Sequence, residues 1–266
     1  MLLKRIISAI LGIPILIYLA YEGKFLFLSG VILLSLMGLR EFRRIMVRIN
    51  LKSHPLLVYA SGIFFPVLAF FAHGQENTFL TGFTLLLLVH LVTLIIAFPQ
   101  YSVSDLASSF FGGCYVSFLL SYLILIRKIE PFGFAYLLFV FIITWACDTG
   151  AYFSGRLWGR HPLWYNLSPQ KTIEGSVGGL VSSIGAALLF QLIHPLFSFF
   201  NALYLGLLIG TFVQVGDLVE SAIKRLGRVK NSSELIPGHG GILDRFDSLL
   251  FSAPAAYFYL KIFLVH

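Results

Sequence analysis

Asp217, Glu220, Ser221 and Lys224 recur at intervals of three and four. On a helix they form one stripe of acid, acid, hydroxyl and base. Two further carboxylates, Asp244 and Asp247, stand three apart behind the run Pro237, Gly238, His239, Gly240 and Gly241, whose glycines let the backbone turn and approach a ligand closely. A loop folded back there sets a helix beginning near Ile242 with Asp244 opposite Asp217. Carboxylates meeting from two segments attract a hard divalent cation, and Mg2+ takes one or two of them together with substrate phosphates and water. Lys224, Arg225, Arg228, Lys230 and Arg245 concentrate positive charge in the same stretch, 221–247. The stripe reads as a metal and phosphate site or, alternatively, as an interhelical ion-pair network without a ligand. His239 admits three roles: ligand, phosphate hydrogen-bond donor, or loop residue fixing the turn. Imidazole suits Zn2+ better than Mg2+.

A second group lies earlier, in SPQKTIEG, where Ser168, Pro169, Lys171, Thr172 and Glu174 precede Gly175. Ser168 or Thr172 is placed to cap the following helix, with Glu174 near its positive end. A capped helix N-terminus is also an anion site, with Lys171 as a point charge towards phosphate; plain capping beside a lysine kept on the cytoplasmic side is the alternative. The patterns GxxxxGK[ST] and GxGxxG are absent, which sets aside P-loop and Rossmann sites. A third segment, ITWACDTGAYFSGR, carries Asp148. An ionisable side chain at the centre of a membrane span costs about 2.5–3.5 kcal/mol on insertion scales. Asp148 and Asp217, both near cytoplasmic ends of predicted spans, therefore require a reason.

The elements that must position these groups are membrane helices. Of 266 residues, 58% are hydrophobic, 16% aromatic and only 12% charged, outside the usual range of soluble chains. With about 20 apolar residues needed per crossing, the sequence predicts an all-α, polytopic membrane protein. Its nine spans are 6–21, 25–39, 55–72, 79–98, 106–126, 132–153, 175–193, 202–219 and 248–264, the second being short. The N-terminal run resembles a secretory signal but lacks a small-x-small cleavage pattern, so a retained first span is expected. With the N-terminus cytoplasmic, fifteen of the nineteen Lys and Arg fall on the cytoplasmic side, as their resistance to translocation requires.

The formal charge of +7 suits anionic headgroups or a polyanionic substrate, although the positive-inside bias alone also produces it. Cys114 and Cys147 lie in apolar stretches, which indicates neither a disulfide framework nor a cysteine zinc site. The expected organisation is a supporting N-terminal region, 1–130, and a catalytic region, 131–266, with cytoplasmic loops 154–174 and 220–247. The basic connection REFRRIMVRINLKSH reads as an interfacial helix holding headgroups, with a substrate role as the alternative.

The C-terminal residues resemble the phosphatidate cytidylyltransferases, or CDP-diacylglycerol synthases. That family's signature is S-x-x-K-R, four residues, K-D, a short spacer, P-x-H-G-G, two residues, D-R-x-D. Ser221, Lys224, Arg225, Lys230, Pro237, His239, Gly240, Gly241, Asp244, Arg245 and Asp247 occupy its positions. Asn231 stands where the family has Asp; an amide supplies no charge, so Asn231 is not counted among the metal ligands. Trp145, Asp148, Ala151 and Tyr152 match W-x-x-D-x-x-A-Y, and the segment from Ser168 to Gly175 matches S-P-x-K-T-x-E-G. The resemblance covers the C-terminal half.

It implies transfer of a cytidylyl group from CTP to phosphatidate, giving CDP-diacylglycerol and pyrophosphate. Mg2+ is the implied cofactor, as one or two cations, with a second of other identity left open. Asp217, Asp244, Lys224, Arg225 and Lys171 are the expected catalytic residues. Ser168, Thr172, Glu174, Ser221, Lys230, His239, Gly240, Gly241 and Arg245 are expected to bind substrate, and Asp217, Asp244, Asp148, Glu220 and Asp247 to hold metal. Expected partners are CTP, phosphatidate and the bilayer of the plasma (inner) membrane, with the site facing the cytoplasm; no nucleic acid is expected, and a homodimer is left open. A CTP-dependent polyprenol or other lipid-alcohol kinase is the nearest alternative, and a membrane transporter a more distant one. Against the transporter, the charges gather at one cytoplasmic rim instead of in paired mid-membrane halves.

Overall fold

Apolar runs in a bilayer must satisfy every backbone N–H and C=O within the segment, which leaves helix as the local solution. Helices accordingly dominate the computed structural model of the chain, which describes residues 2–72, 76–235 and 240–264, with the side chains of 2–9 and 76–77 outside the description. In order they are α1 (Leu2–Glu22), α2 (Lys24–Arg48), α3 (Pro55–Phe71), α4 (Glu76–Ile96), α5 (Val103–Gly112), α6 (Leu119–Arg127), α7 (Gly133–Trp158), α8 (Ile173–Ile193), α9 (Phe199–Leu226) and α10 (Leu243–Tyr259). A π-helical stretch, Gly113–Phe118, joins α5 to α6, and another, Leu260–Leu264, prolongs α10.

Among the described residues this makes nine helical rods, in line with the nine expected spans. Six rods are long and apolar enough to cross a membrane: α2, α4, the rod Val103–Arg127, α7, α8 and α9. Shorter apolar helices include Ile10–Glu22 and Pro55–Phe71. The protein is thus an all-helical, polytopic membrane protein with, among the described residues, one antiparallel hairpin, β1 (Pro162–Trp164) with β2 (Ser168–Thr172), in which Pro162 faces Thr172 and Trp164 faces Ser168. No strand was expected there, because three- and five-residue strands are too short to display a period of two.

The chain forms two compact units. One comprises Met1–Leu125 and Leu226–Arg245, the other Ile126–Arg225 and Phe246–His266. In the first, α2 does not stop where its apolar run ends. It continues through the basic segment, with Glu41, Phe42, Ile45 and Met46 buried and Arg40, Arg44 and Arg48 exposed, the amphipathic spacing of a helix with one buried face. The turn beyond it is fastened to α5: Lys52 N–H donates to Asp105 Oδ1 (2.5 Å), His54 N–H to Ser109 Oγ (2.7 Å), and the Ser53 and Ser108 hydroxyls meet at 2.8 Å.

In the second unit small residues let helices approach closely, as membrane helix packing favours. A Cβ on Gly150 of α7 would collide with Ser182 of α8, one on Gly178 of α8 with Ser154 of α7, and one on Gly210 of α9 with Ser183 of α8. Gly216 of α9 lies against the Asp247 carbonyl at the start of α10, and Thr144 of α7 hydrogen-bonds Ser252 of α10 at 3.2 Å. These contacts hold the helical segments that carry Asp148, Asp217, Glu220 and Asp247.

Candidate active site

The C-terminal turns of α9 present the predicted stripe, and the hairpin brings a cation to it. Lys171 on β2 places its Nζ 2.8 Å from Asp217 Oδ1 and donates to Ser221 Oγ at 3.2 Å. Lys171 thus joins two motifs through its hydrogen bond to Ser221, fifty residues on, and pairs with Asp217 beside it. Lys224, one turn on, pairs with Glu220, and Arg225 Nε donates to the Leu167 carbonyl at 3.0 Å, binding α9 to the hairpin turn. The hairpin is held at its other end by Glu174. That carboxylate accepts from the amides of Arg160 (3.1 Å) and His161 (3.3 Å) and lies 2.6 Å from His161 Nδ1. Of the two predicted caps, Thr172 caps α8, accepting from Gly175 N–H at 3.1 Å. Ser168 is half-buried on β2.

Three carboxylates come together on this scaffold. Single oxygens of Asp217, Glu220 and Asp247 lie within 4.8 Å of one another. Glu220 is 1% exposed and Asp247 8%. With Glu220 and Asp247 withheld from water and Asp217 beside them, the like charges repel, and Lys171 and Lys224 offset part of that repulsion. The donors are all hard oxygens, so the set fits a hard divalent cation and gives a soft one nothing to prefer. Asp148 of α7 accepts from Ser248 Oγ at 3.3 Å, and the Ser248 amide donates to Asp247 Oδ1 at 2.8 Å. Ser248 therefore links Asp148 to Asp247, a connection that the sequence spacing did not disclose.

The remaining predicted residues belong to the other unit. Asp244, in the first turn of α10, is not one of the three gathered carboxylates. Its Oδ2 accepts from Ser232 N–H (2.9 Å), Ser232 Oγ (2.8 Å) and Gly241 N–H (2.8 Å). Gly240 has φ +85, the left-handed region that glycine enters without a Cβ penalty. Lys230 and Arg245 are exposed. Pro237, Gly238 and His239 lie outside the described residues. Glu41 belongs to none of the motifs. It is an acid at 2% exposure on the buried face of a basic helix, and its helical spacing with Phe42 and Ile45 was the available signal.

Comparison with known proteins bears on the whole chain. A cytidylyltransferase family profile matches residues 3–263. A phosphatidate cytidylyltransferase of Bacillus subtilis (strain 168) is 35% identical over 269 residues, covering 98% of each chain. Its counterpart in Staphylococcus saprophyticus is 37% identical over 258 residues, covering 95% of each, and that of Staphylococcus aureus (strain COL) is 35% identical over 260 residues with the same coverage. The likeness therefore extends through the N-terminal helices, beyond the half in which the sequence motifs stood out. With Lys171 of one motif hydrogen-bonded to Ser221 of the other and the family profile spanning almost every residue, the chain belongs to the cytidylyltransferase family.

Proposed function

We propose that the protein transfers the cytidylyl group of CTP to phosphatidate, giving CDP-diacylglycerol and pyrophosphate for phospholipid synthesis. The observation that carries this reading is the near-full-length likeness to phosphatidate cytidylyltransferases. The site chemistry agrees. Phosphatidate is already an anionic nucleophile near neutral pH, so no strong general base is needed. One of its phosphate oxygens attacks the α-phosphorus of CTP, the α–β P–O bond breaks, and pyrophosphate leaves with the bonding electrons. The protein's task is positioning and neutralising charge.

Asp217, Glu220 and Asp247 are the residues proposed to hold the metal, with Mg2+ as its identity, as one or two cations. Once bound, it would supply positive charge to offset that developing on the phosphate oxygens. Asp148 orients this group through Ser248. Asp244 remains a proposed metal-site and catalytic residue, held in place by Ser232 and Gly241. Lys171, Lys224 and Arg225 lower the potential for triphosphate and lipid phosphate, while Arg245, Lys230, Ser221 and the glycines Gly240 and Gly241 are proposed to contact substrate phosphates. The site is proposed to face the cytoplasm, where CTP is available and where the positive-inside count sets these segments.

Purified protein in detergent with labelled CTP, phosphatidate and Mg2+ tests the reading. Labelled CDP-diacylglycerol and pyrophosphate are expected, with activity lost on chelation and restored by Mg2+. Asp217→Asn and Asp247→Asn are expected to lower kcat at least about 100-fold. CDP with a phosphorylated lipid alcohol would instead identify a kinase, and full activity in both variants would remove the carboxylates from the mechanism.

A further inference from the structure

Glu41 lies in the basic half of α2, almost two hundred residues from the C-terminal motif, yet both of its oxygens are committed to that motif's segment. Oε1 accepts from Ser233 Oγ at 2.6 Å and from Ile242 N–H at 2.9 Å. Oε2 accepts from Ser232 Oγ at 2.8 Å and from Leu243 N–H at 2.9 Å. Two of these donors are hydroxyls at the near end of segment 232–243, and two are backbone amides at its far end. The amides are among those that the start of α10 cannot satisfy within the helix. A carboxylate there also meets the positive end of the helix dipole. Glu41 thus closes the segment from both sides.

Two further contacts tie this closure to the motif residues. The Ser232 hydroxyl also reaches Asp244 Oδ2 at 2.8 Å. Its single proton is shared between Asp244 and Glu41, which links the two carboxylates through one atom. A Cβ on Gly241 would collide with Ser232 Oγ and the Glu41 carboxylate. The motif's second glycine is therefore required by close packing against the clamp, at a residue whose amide also serves Asp244. All these groups belong to the same compact unit.

We propose that Glu41 is a positioning residue for cytidylyl transfer: by holding Ser232 and Ser233 at one end and Ile242 and Leu243 at the other, it fixes the backbone that carries Gly240, Gly241, Asp244 and Arg245 for the CTP phosphates. This rests on the function proposed above. Glu41 touches no reacting atom and acts through the segment it grips. The carboxylate's requirement is acceptor capacity on both oxygens, which an amide of the same size lacks.

The test compares wild type, Glu41→Gln and Ser233→Ala in steady-state kinetics and in amide hydrogen exchange. In Glu41→Gln one acceptor becomes a donor facing donors, so KM for CTP is expected to rise about tenfold or more, with KM for phosphatidate within about twofold of wild type. Faster exchange at Ile242 and Leu243 is expected alongside, while peptides from α7 and α8 keep wild-type protection. Ser233→Ala, which removes one donor and leaves the buried carboxylate in place, is expected to raise KM for CTP about threefold and stands in if the glutamine variant does not fold. In the double variant the two effects are expected to be less than additive. Wild-type KM for CTP in a folded Glu41→Gln, or a fall in kcat alone that tracks the fraction folded, overturns the inference while leaving the reaction intact. A wild-type protein that releases no pyrophosphate from CTP and phosphatidate overturns the function itself, and the positioning role with it.

Discussion

At Lys171 one side chain meets both a carboxylate and a hydroxyl of α9, and its dual contact makes it the most informative residue after the acids. Its side chain is partly exposed, at 23%, and that of Asp217 more so, at 40%, so their mutual attraction adds little to stability in a screened setting. The pair's consequence is local potential. Lys171→Ala is expected to lower kcat/KM by about 100-fold with thermal stability almost unchanged, because it removes a phosphate-directed charge and leaves three carboxylates less compensated. Lys171→Arg is expected to recover only part of that loss, since a planar guanidinium cannot reproduce a compact ammonium reaching two acceptors from a strand. Labelled-CTP kinetics beside thermal unfolding in detergent separate the two effects. At the same scale, Glu41 shows that a carboxylate can matter without approaching the reaction.

Among the elements, α9 and α10 set the metal-site geometry. Gly216 lies one residue before Asp217, and a Cβ there would run into the Asp247 carbonyl and approach the Phe251 ring at 3.1 Å. A backbone atom cannot swing aside as a flexible side chain can. Gly216→Ala is therefore expected to push the start of α10 away from α9, separate Asp247 from Asp217, and lower activity at least about tenfold. The accompanying destabilisation should be about 1–3 kcal/mol, the usual cost of overpacking, read from unfolding in detergent. Unchanged activity would mean that the spacing of these two carboxylates is not critical. The hairpin is the other decisive element. Glu174 anchors its start, Thr172 ends it as the cap of α8, and Lys171 occupies the intervening position that faces α9.

For the whole molecule, the proposed topology, a cytoplasmic N-terminus with nine crossings, requires that the hairpin and the loop after α6 face opposite sides. Tyr165→Cys, in a background with Cys114→Ala and Cys147→Ala, is expected to react with a membrane-impermeant maleimide only in inverted vesicles, and Lys128→Cys only in right-side-out ones. The same labelling pattern at both positions would refute the topology. The sequence alone determined the helical class and the number of rods, because length and apolarity are one-dimensional properties that a bilayer converts directly into helices. It also determined the face shared by Asp217, Glu220 and Ser221, since helical periodicity fixes that without tertiary information. Spacing placed Asp244 and Asp247 on one later turn and suggested Asp244 as the partner of Asp217, whereas the carboxylate gathered with Asp217 is that of Asp247, a matter of how α10 seats on Gly216. Nor could it reveal that Lys171 crosses to Asp217, that Ser248 connects Asp148 with Asp247, or that Glu41 grips the segment leading into α10. Those pairings depend on through-space contacts between residues up to two hundred positions apart, and only the folded chain decides them.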